Sequence, residues 1–166
     1  KDGSANTIPG HSISLGVLGT IILFFGWFGF NPGSSLGFLG GFRNLAVIAA
    51  VNTLLAGAAG GCSAMTYMWL WGPTRKPDPG MSVNGILAGL VAITAPCAFV
   101  DGWAAVVMGL IAGVLVCLGS VWIEKWKIDD PVGAIPVHFF NGLFGVLAVG
   151  IFANGNPDTA AWNGVE

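Results

Sequence analysis

Five stretches of this chain, at about residues 12–30, 44–71, 81–100, 103–123 and 132–153, are apolar and free of Lys, Arg, Asp and Glu, and each is near the ~20 residues a membrane-crossing helix needs. A core helix of a soluble protein carries a charged face toward water. None of the five has one. The composition agrees, with 54% of the 166 residues hydrophobic and 8% charged. Soluble domains carry about 25% charged residues. Water cannot accommodate that much apolar surface, so lipid must take part of it. The expected fold class is all-α, a polytopic membrane helical bundle of about five transmembrane helices, with residues 1–166 in a single membrane domain. The 27 glycines suit helices that pack closely in a membrane. The pairs Gly85/Gly89 and Gly109/Gly113 are read as packing alone. The second stretch is long enough to span with tilt, and Pro96 punctuates the third.

Positive charge orients the bundle. With the two sides alternating through five spans, Lys1, Arg75, Lys76, Lys125 and Lys127 fall on one side and Arg43 on the other. Cytoplasmic loops carry the Lys/Arg excess. The chain start is therefore expected to be cytoplasmic and the chain end extracytoplasmic, in a multi-pass protein of the plasma (cytoplasmic) membrane. The first helix then runs outward and ends near Phe30-Asn31-Pro32-Gly33-Ser34 at the outer surface. The chain opens at Lys1 without an initiator Met or a signal peptide and closes in the polar stretch Asn163-Gly164-Val165-Glu166. It is expected to be an excerpt of a longer protein. The net charge of −2 is too small to imply nucleic acid or an acidic partner.

The fifth stretch contains His138, and an ionisable side chain at membrane depth is costly and a functional-site hypothesis by default. Asp130 suits an N-cap and Pro131 the first helical position. An uninterrupted helix from that cap places His138 ~12 Å inside, at ~1.5 Å per residue. Pro136 should bend the helix by freeing a carbonyl. Two roles fit His138. It lines a path, or it is a buried neutral histidine hydrogen-bonded to a neighbouring helix, with Asn141 one turn further on joining that network.

The string Gly26-Trp27-Phe28-Gly29-Phe30-Asn31-Pro32-Gly33-Ser34-Ser35 sets three aromatics among glycines at the outer boundary, followed by hydroxyls. It reads either as an interfacial aromatic belt ending in a Pro-Gly turn or as a cation vestibule. In a vestibule, aromatic faces attract a small cation and a serine oxygen accepts one of its hydrogen bonds. His11 precedes the first span and is read as a loop residue at the cytoplasmic surface, out of reach of His138, so no two-histidine metal site is expected. Cys62, Cys97 and Cys117 lack disulfide or metal spacing and are read as small packing residues. Asp101 reads as a solvated loop charge. There is no Walker loop, nucleophile elbow or pair of catalytic carboxylates, so neither an enzyme nor a cofactor is expected.

Gly26-Trp27-Phe28-Gly29-Phe30-Asn31, Val51-Asn52-Thr53, Ala88-Gly89-Leu90-Val91-Ala92-Ile93-Thr94, and Ile128-Asp129-Asp130-Pro131-Val132-Gly133-Ala134 through Val137-His138 occur in that order. Together they resemble the ammonium transporter family (Amt/Mep/Rh), in its Amt branch, over essentially the whole chain. The resemblance implies the second five-helix repeat of an eleven-helix protomer, helices six to ten. That is one half of an inverted-repeat transporter, with the substrate path at the repeat interface. It implies a homotrimer with one pore per protomer, ammonium or ammonia as the substrate, and a cytoplasmic regulatory protein as a further partner. By the same resemblance Phe30 is one of two stacked phenylalanines at the outer mouth. Ser34 accepts a hydrogen bond from ammonium, His138 is the second of twin pore histidines, and Asp130 is structural at the start of the tenth helix. Pro136 and Phe139-Phe140-Asn141 depart from the small residues usual there, and either narrow the pore or turn toward neighbouring helices. An ammonium sensor of the same fold, conducting little, is the alternative.

Overall fold

The computed structural model describes residue 8 and residues 10–155. Lys1, counted above among the cytoplasmic cations, and the polar stretch 163–166 lie outside the described residues. The described chain forms five helices: α1 (Ile13–Phe30), α2 (Gly41–Trp71), α3 (Pro79–Thr94), α4 (Gly102–Lys125) and α5 (Asn141–Phe152). A 3₁₀ turn, Pro32–Ser35, follows α1, and a π-helical turn, Ile135–Phe140, leads into α5. Among the described residues, four helical segments are long and apolar enough to cross a membrane: Ile13–Ser35, Gly41–Trp71, Gly102–Lys125 and Ile135–Phe152.

Local chemistry sets the ends. Ser12 caps α1, its hydroxyl accepting from the Leu15 N–H at 3.4 Å. Asp78 caps α3, accepting from the Met81 N–H at 2.9 Å, and Pro79 fills the first helical position. The third span differs from the expected 81–100. It is a helix of 16 residues that ends at Thr94: Pro96 has no N–H to donate to the Ala92 carbonyl, so the hydrogen-bond ladder stops although Ala95 still has helical φ and ψ. Residues 95–100 continue as turns, and Pro96, Cys97, Ala98 and Val100 are buried all the same. Irregular backbone at membrane depth is tolerated only where protein satisfies it. Asn52 of α2, itself 2% exposed, does so: its side-chain amide donates to the carbonyls of Cys97 and Val100, both at 2.8 Å.

The core is an α2–α3–α4 sandwich built on absent side chains. A Cβ at Gly85 or Gly113 would strike the Gly60 carbonyl, and one at Gly89 or Gly109 the Ala56 carbonyl. The two glycine pairs therefore dock on the same stretch of α2, one pair from α3 and one from α4. Backbones in such contact gain dispersion and lose little side-chain entropy, which drives helix association in lipid. The residue matching also gives direction. Gly60 and Ala56 meet Gly85 and Gly89 in reversed order, but Gly113 and Gly109 in the same order. Trp27 meets Thr94, Asn84 lies near Gly133, and Gly145 meets Ala92. Thus α1, α3 and α5 run one way, and α2 and α4 the other. Arg75, Lys76, Lys125 and Lys127, all exposed, follow the ends of α2 and α4 on one side, while Arg43 opens α2 on the other.

Candidate functional site

The chain's outer-mouth candidates sit where α1 runs out. The Phe30 ring is 56% exposed and meets Trp27 edge-on, with centroids 6.1 Å apart. Trp27 is pinned: its indole N–H donates to the Thr94 hydroxyl at 2.9 Å, and that hydroxyl donates to the Leu90 carbonyl at 2.7 Å. Asn31, 4% exposed, donates its side-chain amide to the Thr53 hydroxyl at 3.0 Å, and Thr53 donates to the Ala49 carbonyl at 2.6 Å. Two side chains from the Gly26–Asn31 string thus clamp the end of α1, one to α3 and one to α2. The 3₁₀ turn then returns Ser34 toward Phe30, and the Ser34 hydroxyl donates to the Phe30 carbonyl at 2.7 Å. With its proton committed inward, the exposed Ser34 oxygen keeps its lone pairs for an outside donor.

His138 sits on the other element of interest, in the middle of the π turn. The helix does not begin at Asp130 with Pro131 in its first turn, as an uninterrupted segment would require. Residues 131–133 form a turn, with Gly133 at φ +73°, and helical geometry starts at Ala134. Asp130 reaches across that turn, its two carboxylate oxygens accepting from the N–H groups of Ala134 and Ile135, each at 2.8 Å. An anion there also favours the positive end of the helix dipole. Depth follows from α3 instead of from the cap. Gly133 lies at the level of Asn84 and Gly145 at that of Ala92. At ~1.5 Å per residue, His138 therefore lies between about 9 and 21 Å along α3 from Asp78.

His138 is exposed, whereas Pro136, Val137 and Asn141 around it are buried. The bulky neighbours part company. Phe140 turns onto α4, edge-on to Trp122 at 6.3 Å, and with Pro136 fills the space that Gly119 leaves open. Phe139 stays 62% exposed beside His138. Asn141 does not extend a network toward the imidazole. It turns inward and donates to the Pro136 carbonyl at 2.8 Å. Phe30 and Ser34 are thus joined by a hydrogen bond, while His138 belongs to a separate element, with α3 packed against both α1 and α5.

Several residues that build this site have partners that the sequence does not assign: Asn31, Asn52, Thr53, Asn84, Thr94 and Asn141. Each makes a side-chain bond to another element or across a turn, which periodicity does not register. Asn and Thr within otherwise apolar spans were the available signal. Asp101 differs from a free loop charge, because its carboxylate accepts from the Asn154 amide at 2.8 Å and so ties the end of α5 to the α3–α4 turn. Cys97 and Cys117 are buried as expected of packing residues, but Cys62 is exposed on α2.

The model of the Ammonium Transporter Family matches residues 1–165. Ammonium transporter Amt2 of Archaeoglobus fulgidus is 54% identical over 157 residues, which cover 94% of this chain and 32% of that protein. A solved structure named Sensor Amt Protein is similar with a TM-score of 0.83 at 42% identity, covering 92% of this chain and 36% of that one. The crystal structure of Saccharomyces cerevisiae Mep2 is similar with a TM-score of 0.84 at 32% identity, covering 98% and 36%. The chain spans about a third of the length of these relatives.

Proposed function

The chain belongs to the ammonium transporter family, and on that premise we propose that it forms one wall of a path carrying ammonium and ammonia across the membrane. The physical problem is discrimination. Ammonium resembles potassium in size but can lose a proton. A bare cation in hydrocarbon is prohibitive, and neutral ammonia is far cheaper. In this reading Ser34 accepts a hydrogen bond from ammonium at the outer mouth, and the faces of Trp27 and Phe30 attract the cation, by about 2 kcal/mol when desolvated. Phe30 then gates a dry constriction that favours deprotonation. His138 lines the constriction, hydrogen-bonds ammonia and relays the proton. Asp130 is structural, holding the start of the helix that carries His138. The facing wall, a second gate ring and a partner histidine come from the rest of the protein. The end bearing Arg75, Lys76, Lys125 and Lys127 is cytoplasmic, the working assembly is a homotrimer, and a cytoplasmic protein regulates it.

The observation that carries this reading is the placement of His138, an ionisable side chain at the level of α3's middle, open on a face its own helices leave uncovered. His138→Ala in the complete protein is expected to lower selective ammonium uptake roughly tenfold or more, or to admit potassium. Unchanged ammonium currents with unchanged potassium exclusion overturn the assignment. A second reading, an ammonium sensor with little conduction, is favoured by the 42% identity to a protein named as a sensor and by the exposed Phe139 beside His138. Ammonium binding without flux in proteoliposomes selects it.

A further inference from the structure

We propose that Asn141 is the positioning residue for His138: its side-chain amide holds open the wide turn on which the histidine sits. The proposal rests on the path-lining reading of His138.

A π turn accommodates an extra residue in one helical turn, is uncommon, and occurs mostly as a single bulge within an α-helix, frequently at a functional site. Something must keep it from tightening. In Ile135–Phe140 the structure shows three restraints. Pro136 has no N–H to offer the Val132 carbonyl in the turn before the helix, and that carbonyl accepts from the Asn84 side chain at 3.3 Å. The Pro136 carbonyl accepts from the side-chain amide of Asn141, five residues on, at 2.8 Å, while the Asn141 backbone N–H donates to the His138 carbonyl. Gly119 gives Pro136 and Phe140 room on the α4 side. The bulk of the turn therefore sits against α4, and His138 is left on the open side.

Of the three, Asn141 is retained against its own interest. It is fully buried, and its Oδ1 has no hydrogen-bond donor. A buried acceptor left unpaired is destabilising, and an apolar side chain of the same size would avoid it. An amide kept there serves geometry. The geometry is worth keeping because closing the turn removes one residue of register, about 100° of rotation on an α-helix. That would swing His138 around the helix axis relative to α5.

The test is Asn141→Leu in the complete protein, with Asn141→Cys as a smaller replacement should the leucine variant not fold. Two readouts are needed. The first is the variant's solved structure, in which the turn is expected to close to α-helical geometry and His138 to move. The second is ammonium flux in proteoliposomes, alone and combined with His138→Ala. We expect the maximal rate to fall roughly tenfold, with the apparent KM little changed because Ser34 and Phe30 are untouched. The double variant should be no worse than His138→Ala alone, since both changes disable the same group. A turn that stays wide in Asn141→Leu overturns the proposal whatever the flux. So does a flux loss that adds in full to that of His138→Ala. If the turn closes while His138→Ala transports normally, the positioning by Asn141 stands and the pore role of His138 falls.

Discussion

Helices α1 and α2 are both apolar and both rich in glycine, yet they use it in opposite ways. On α2, Gly60 lies between the Gly85 and Gly113 backbones, and Gly57 admits the side chains of Leu90 and Phe24. On α1, a Cβ at Gly16, Gly19, Gly26 or Gly29 would meet nothing within 4 Å. Helix α2 carries ten buried residues, and α1 has Thr20 alone. What attaches α1 is large or polar: the Phe24 ring at Gly57, the Trp27 indole on Thr94 and the Asn31 amide on Thr53. The same residue type marks a contact in one helix and an open face in the other. The difference lies in what approaches, which composition does not record.

The contrast can be tested by filling each kind of glycine. Gly60→Leu should be the most damaging change, because backbone carbonyl and not a flexible side chain occupies the space. Overpacking of this kind costs about 1–3 kcal/mol where neighbours can shift and more where they cannot. Loss of monodisperse protein in detergent is the expected readout, and normal yield would refute the sandwich. Asn52→Leu should rank second. It leaves the Cys97 and Val100 carbonyls buried without a donor, at about 1–3 kcal/mol. The expected result is a lower Tm, with faster amide exchange concentrated in residues 95–101. Gly19→Ala should do least, shifting stability by no more than about 1 kcal/mol and in the favourable direction expected for alanine in a helix. If Gly19→Ala in the complete protein is as harmful as the α2 change, α1 packs there on a segment outside this chain, and the two faces are alike after all.

These rankings follow from contacts that the sequence reveals unevenly. The spans are legible because lipid imposes a length and excludes charge, and helices α1, α2 and α4 begin and end within three residues of where that rule puts them. The glycine pairs of α3 and α4 are legible as packing, but not their common seat at Ala56 and Gly60, which depends on a third helix. The end of α3 is only half legible. Pro96 announces a break, yet nothing local says that the broken stretch stays buried, because the reason is Asn52 some 45 positions earlier. The π turn is hidden for a similar reason. Pro136 predicts a bend, but neither the Asn141 side chain turned back on the Pro136 carbonyl nor the room at Gly119 is visible in the local pattern. Of the site itself, the aromatic string and His138 stand out as chemistry, whereas the bond from Ser34 to the Phe30 carbonyl depends on a 3₁₀ turn whose four residues carry no periodic signal.

Gly119 ties three positions into one choice. A Cβ there would stand 2.6 Å from the Phe140 ring and 2.8 Å from Pro136. A lineage that gains alanine at 119 must move or shrink both partners, and one that already has small residues at 136 and 140 is free to carry any small residue at 119. Size at these three sites should therefore change together among relatives, and an engineer exchanging the His138 segment between them would have to move Gly119 with it.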